Sequence, residues 1–215
     1  MKGVIWFRTD LRIDDNPALR NALDNCEEVI GIYIFSELQW KAHNESNVKL
    51  EFLIKNLIFL EKSLSKLNIP LITIKTESFD SLPKDLSSFA VSNKIGQIFW
   101  NNEFGVNESK RDLLSCTMLE KENVKTSRFD DQVIYEPGYL KTGQGKPFSV
   151  FTPFKRRWIE NFEMDFLDIN YKHSAKKPVN IESDLSKIEF ARTHSVNMDL
   201  WPAGESAAQE RLSNF

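Results

Sequence analysis

IFWNNEFGVNESKRD, residues 98–112, decides the reading of this sequence. Ile98-Phe99-Trp100 is a short apolar run of the kind that makes a buried strand. Asn101, Asn102, Glu103 and Gly105 break it, and Asn107 opens a segment of helical character, as an N-cap whose neighbour Glu108 complements the helix dipole. The strand thus delivers its end into a polar helix start. In a parallel sheet that carboxyl edge is where ligands are held, because free N–H groups and the helix dipole collect there.

The same unit recurs upstream. Val4 to Phe7 is a continuous apolar run suited to a strand covered on both faces. Asn16 followed by Pro17 predicts a helix start, with Ala18, Leu19, Ala22 and Leu23 as its buried face. Val29 to Phe35 is a second strand, followed by the polar insert SELQWKAHNES. From Ser46 to Asn68 the leucines at 50, 53, 57, 60, 64 and 67 recur at three and four residues and predict a long amphipathic helix. Ile69 to Ile74 is a third strand, and Phe79 to Asn93 a helix with Leu82, Leu86, Phe89 and Ala90 on one side.

Downstream of residues 98–112 the helix continues through Leu113, Leu114, Met118 and Leu119, and Val124 to Phe129 is a fifth strand. Strands alternating with helices imply right-handed crossovers. The fold class is therefore α/β: a Rossmann-like doubly wound five-stranded parallel sheet of order 3-2-1-4-5, with helices on both faces. The switch point then lies between strands one and four, and sets the loop after Phe7 beside the loop after Trp100.

Beyond Asp130 the alternation stops. Residues 1–130 are expected to form the α/β domain, and 131–200 a surface connector with a helix near 152–162 packing on it. The tail 201–215 has Ala208, Leu212 and Phe215 on one helical face with no later partner in the sequence. It is expected to be the first helix of a second domain that is cut short.

With 215 residues, 41% hydrophobic content and 16 Phe, the chain has enough apolar mass for one sizeable core plus an appendage. A net charge of -3 argues against nucleic-acid binding through bulk positive charge. Cys26 and Cys116 form no C-x-x-C pair and are expected to be reduced, packed thiols. No apolar run approaches a signal-peptide core or a membrane span, so the expected location is the cytoplasm.

Several residues are candidates for chemistry. A carboxylate at 108 can accept two N–H donors from a heterocycle edge, and the Asn107 amide both donates and accepts. The Arg8, Asp10, Arg12, Asp14, Asp15 loop is expected to make its own salt bridges. The loop 142–146, TGQGK, lacks both a preceding strand and the glycine spacing of a phosphate cradle. Phe154 and Trp158 share one helical face while Lys155, Arg156 and Arg157 point elsewhere, which predicts an amphipathic helix rather than a single-strand binder. His43, His173 and His194 show no metal-ligand spacing, and no nucleophile-and-base pair stands out.

Six stretches together resemble the DNA photolyase and cryptochrome family, most of all the bacterial class I cyclobutane pyrimidine dimer photolyases. They are WFRTDLRIDDNPAL (6–19), YIFSELQWKAHN (33–44), FGVNESKRD (104–112), FDDQVIYEPG (129–138), VFTPFKRRW (150–158) and WPAGESAAQERLSNF (201–215). The resemblance implies an antenna-binding domain for a light-harvesting cofactor, commonly methenyltetrahydrofolate, that passes excitation to FAD. It also implies that Asn107 and Glu108 bind the folate, with Glu108 on the pterin, and makes His43 and Phe35 candidates for the same pocket.

In such proteins FAD sits in a C-terminal helical domain, joined in cis, that acts on UV-damaged DNA. The 215 residues alone are therefore expected neither to bind FAD nor to repair DNA, and to hold folate weakly. The alternatives are a cryptochrome-type photoreceptor domain and a stand-alone nucleotide-binding module. No glycine-rich turn follows Phe7 to support the latter.

Overall fold

β1 (Lys2–Phe7), β2 (Glu28–Phe35), β3 (Leu71–Lys75), β4 (Gln97–Asn101) and β5 (Lys125–Phe129) form one all-parallel sheet in the order β3-β2-β1-β4-β5. The computed structural model describes residues 1–162, 171–185 and 199–215. The polar stretches at 163–170 and 186–198, expected to belong to the connector, lie outside the described residues.

β1 is the central strand. Val4 pairs with Ile30 on one side and Ile98 on the other. Its side chains alternate between two cores, as strand geometry requires. Ile5 and Phe7 point toward Leu19, Ala22, Leu57 and Leu64, whereas Val4 and Trp6 meet Leu86, Ala90, Trp100 and Leu119. Fully burying each of the large side chains stabilises the fold by roughly 1.5–3 kcal/mol.

The helices follow the expected spacing. In α1 (Pro17–Asn25) the Asn16 side chain caps the Leu19 N–H, and Ala18, Leu19, Ala22 and Leu23 are buried. α3 (Asn47–Ser65) is capped by Ser46 and buries Leu57, Leu60 and Leu64, leaving Leu50 and Leu53 half-buried. α4 (Leu82–Ser92) buries Leu82, Leu86 and Ala90.

Two elements depart from expectation. The polar insert after β2 contains a six-residue helix, α2 (Glu37–Ala42), with the Ser36 hydroxyl accepting from Gln39 N–H. It buries no residue fully, so no apolar period marks it; its cap, its end charges and Trp40 packed on the core hold it. In α5 (Val106–Lys121) the N-cap is Gly105, not Asn107. Leu113 and Leu114 are exposed, and the buried side is Arg111, Asp112, Ser115 and Leu119. That helix turns a charged face inward because it has charged partners there.

The connector covers the outer edge of β3. Ser183 Oγ accepts from Leu71 N–H at 3.0 Å, and Asp184 N–H donates to Leu71 O at 3.3 Å. Asp184 Oδ1 accepts from both Thr73 N–H (2.7 Å) and Thr73 Oγ1 (2.9 Å). Upstream, Lys176 and Lys177 N–H groups donate to Leu67 and Glu27 carbonyls, and Leu185 enters the core. At Leu71 and Thr73 the edge strand no longer offers its amides to another chain.

α6 (Phe151–Glu160) presents Phe154 and Trp158 as its half-covered residues. Trp158 lies edge-on to Tyr135, and Phe154 edge-on to Phe148. α7 (Glu205–Ser213) buries nothing, and the expected apolar face is open, with Leu212 76% exposed. Among the described residues no helix is long and apolar enough to cross a membrane.

Candidate functional site at the carboxyl edge of the sheet

β1 and β4 end side by side, and the polar groups that follow them are tied together. Asp10 accepts from its own turn at Arg8 N–H (2.8 Å) and from Asn101 Nδ2 (2.6 Å). Asn101 Oδ1 accepts from Ala18 N–H at 3.1 Å, and its Nδ2 also donates to Asn16 Oδ1 at 2.9 Å. The end of β4 is thereby fixed to the first turn of α1. Asn101 does not break the strand; it is the strand's last residue and is buried.

Behind this lies a buried ionic cluster. Arg8 Nη1 donates to both oxygens of Asp112, and Arg111 donates to Asp112 Oδ1 through Nε (2.9 Å) and Nη2 (2.7 Å). Arg111 Nη2 also reaches Glu103 at 2.9 Å, and Trp100 Nε1 donates to Asp112 Oδ2 at 3.2 Å. Both guanidinium carbons stand 4.9 Å from the Trp6 ring centroid, close enough for cation–π attraction. Burial, followed by the carboxylates of Glu103 and Asp10, pushes the Tyr33 phenol pKa well up, so it stays neutral.

The charges of residues 8–15 thus find partners mainly outside their own loop. Arg8 pairs with Asp112, and Arg12 with Asp131 at 2.5 Å. Local periodicity could not show this, since the partners lie more than a hundred residues away. The nearest sequence signal was the charged R-D pair at 111–112, directly before the apolar pair Leu113-Leu114. Three backbone N–H groups of the loop, those of Arg8, Ile13 and Asp14, are taken by carboxylates of Asp10 and Glu205. A nucleotide phosphate finds no glycine-rich cradle here.

Asn107 and Glu108 occupy the first turn of α5, beside this cluster in sequence and at the same edge of the sheet. Asn107 is exposed and Glu108 half-exposed, and among the described residues neither side chain has a hydrogen-bond or ion-pair partner. The Glu108 carboxylate folds back over Gly105. A Cβ on that glycine would lie 2.0 Å from Glu108 Oε2, so the missing side chain is what leaves the carboxylate its place. Next to this turn is a hollow of about 240 Å³ lined by Glu103, Phe104, Ser109, Arg128, Asp130 and Glu136.

His43 caps α2 at its C-terminal end, exposed, with Nε2 2.6 Å from Gln39 Nε2. Phe35 is 2% exposed and packs edge-on against Tyr33 and Trp40. Its ring belongs to the core. The 142–146 loop closes on itself, with Thr142 N–H bonded to Lys146 O and Lys146 N–H to Thr142 Oγ1, so those two amides are taken up within the loop. Cys26 is buried and Cys116 half-buried, both free thiols.

Comparison with known proteins gives a consistent likeness. Residues 3–178 match the DNA photolyase family model. The deoxyribodipyrimidine photo-lyase of Vibrio cholerae is 34% identical over 220 residues, covering 99% of this chain and 46% of that protein. A bacterial class III photolyase from Agrobacterium tumefaciens superposes with a TM-score of 0.77 at 23% identity, over 99% of this chain and 44% of its own. The photolyase of Sulfolobus tokodaii, crystallised with two FAD molecules that implied a novel light-harvesting cofactor, superposes with a TM-score of 0.63 at 21% identity, over 83% and 38%. The chain spans a little under half the length of these relatives.

Proposed function

The chain belongs to the DNA photolyase family, and we propose that it is the antenna-chromophore-binding part of a deoxyribodipyrimidine photo-lyase. The observation that carries this reading is the pair of uncommitted polar side chains, Asn107 and Glu108, on the first turn of α5 at the carboxyl edge of a parallel sheet. A carboxylate there accepts two N–H groups from the edge of a flat heterocycle, and the neighbouring amide donates to its ring acceptors. The donor set suits a pterin, and methenyltetrahydrofolate is the antenna proposed. His43 borders the same edge from the β2 side.

When bound, the folate absorbs near-ultraviolet light and passes the excitation to FAD. The chain's own residues bind and orient it: Glu108 on the ring edge, Asn107 beside it, and the buried Arg8–Asp112–Arg111–Glu103 cluster holding the floor of the edge rigid. In the whole protein, reduced FAD would sit in a further domain in cis and act on a pyrimidine dimer flipped from UV-damaged DNA.

The test is a titration of methenyltetrahydrofolate into the 215-residue protein and its Glu108→Ala variant, following the near-ultraviolet band of the folate. Loss of two charge-assisted hydrogen bonds should weaken binding by roughly tenfold or more. Equal retention by both proteins rules out Glu108 as the anchor. Light-dependent dimer repair by the natural gene product tests the wider assignment, and its absence would leave a photoreceptor role.

A further inference from the structure

α7 carries no buried residue, yet its place on the molecule is defined. One carboxylate does most of this. Glu205 Oε2 accepts from Ile13 N–H at 3.0 Å, and Oε1 accepts from the next amide, Asp14 N–H, at 2.9 Å. Two consecutive amides thus converge on one carboxylate, a donor pair of the kind that holds anions. A residue from the far end of the chain fills it.

The residue before completes the fit. Gly204 N–H donates to Asn56 Oδ1 of α3 at 3.0 Å. Its φ is +98°, and a Cβ there would stand 2.9 Å from Phe59 Cγ, so conformation and space both require glycine. A nine-residue helix with an open apolar face is marginal in water by itself. Its pose is set by its first turn, pinned to α3 at Gly204 and to the loop after β1 at Glu205. Glu205 also sits where the dipole of α7 favours a negative charge.

We propose that Glu205 is a positioning residue: it latches α7 to the Arg12–Asp15 loop, so that whatever α7 supports keeps a fixed pose relative to the carboxyl edge of the sheet. The latch stands on these contacts alone. Its use rests on the antenna reading, because excitation transfer between two chromophores depends on their distance and mutual orientation. A rigid link between the antenna edge and the next structural unit then sets both.

Hydrogen exchange read by mass spectrometry on the 215-residue protein tests this, with Glu205→Ala, Glu205→Gln and a folate titration of each. The amides of Ile13 and Asp14 should exchange about tenfold faster in Glu205→Ala, with those of β1 unchanged, and α7 should lose its residual protection. Glu205→Gln keeps one acceptor oxygen and should fall between. Folate affinity should be the same in all three proteins, since the latch lies outside the pocket. Unchanged exchange at residues 13 and 14 overturns the latch, as does loss of β1 protection in both variants, which would make Glu205 a general stability residue. Failure of folate to bind any of the three, with the exchange pattern as expected, discards the antenna reading and leaves the latch standing.

Discussion

Arg8 and Asp112, 104 positions apart in the chain, meet through one nitrogen that donates to both carboxylate oxygens, at 2.9 and 2.8 Å, with the two side chains 6% and 3% exposed. The same carboxylate neutralises Arg111 and receives Trp100 Nε1. Replacing Asp112 by Asn leaves two buried guanidiniums short of a counter-charge. A loss of about 3–5 kcal/mol is expected, seen as a lower urea midpoint at unchanged slope. A midpoint within error of the parent would mean the cluster is not holding β1 against α5.

Gly3 lies where β1 passes α1's exit. A Cβ there would stand 2.4 Å from Cys26 Sγ and 3.3 Å from the Phe99 ring. Gly3→Ala should destabilise by roughly 1–3 kcal/mol through overpacking, and Cys26→Ala in the same molecule should recover part of that loss. Strict additivity of the two substitutions would contradict the contact.

Asp184 accepts two hydrogen bonds from Thr73 at the sheet's outer edge. Asp184→Ala should cost about 1–3 kcal/mol and leave the Thr73 N–H open to pairing with another chain. Denaturation and the concentration dependence of sedimentation report the two effects separately. A variant that is equally stable and equally monodisperse would show the plug to be dispensable.

Tyr171 in the same connector has its phenol pKa pushed up to about 12, first by burial and then by its hydrogen bond to Asp24. The folded state favours the neutral phenol. Its contribution is complete below the ordinary value of 10.0 and disappears as pH rises toward about 12. The difference in 295 nm absorbance between the parent and Tyr171→Phe should therefore titrate above pH 10, and a midpoint at 10 would remove the Asp24 contact from the account.

The alternation of strands and the four principal helices were legible because the apolar residues of β1, β2 and β4, and the leucines of α3, announce their own periods; the sheet order followed from the rules for doubly wound folds, not from those periods. What was not legible is what depends on distant partners. Leu113 and Leu114 were read only as carried by the helix, and it is Arg111 and Asp112 that take the inner face, because Arg8 and Glu103 wait there. Asn101 read as a strand breaker, yet it closes β4 because Asp10 and Asn16 satisfy its amide. Asn107 read as the cap, two residues late, since a glycine cap leaves no side-chain signal. Glu108 was singled out by type and place, and among the described residues its carboxylate has no partner.

Asp184 is 111 residues beyond Thr73. Closing a loop of that length costs chain entropy that local helix and strand pairings do not, and the contact needs β3 already in place to be covered. During synthesis β3 leaves the ribosome well before its plug. For that interval the nascent chain carries an unpaired strand edge, and the speed with which the connector arrives sets how long the molecule is open to mispairing with its neighbours.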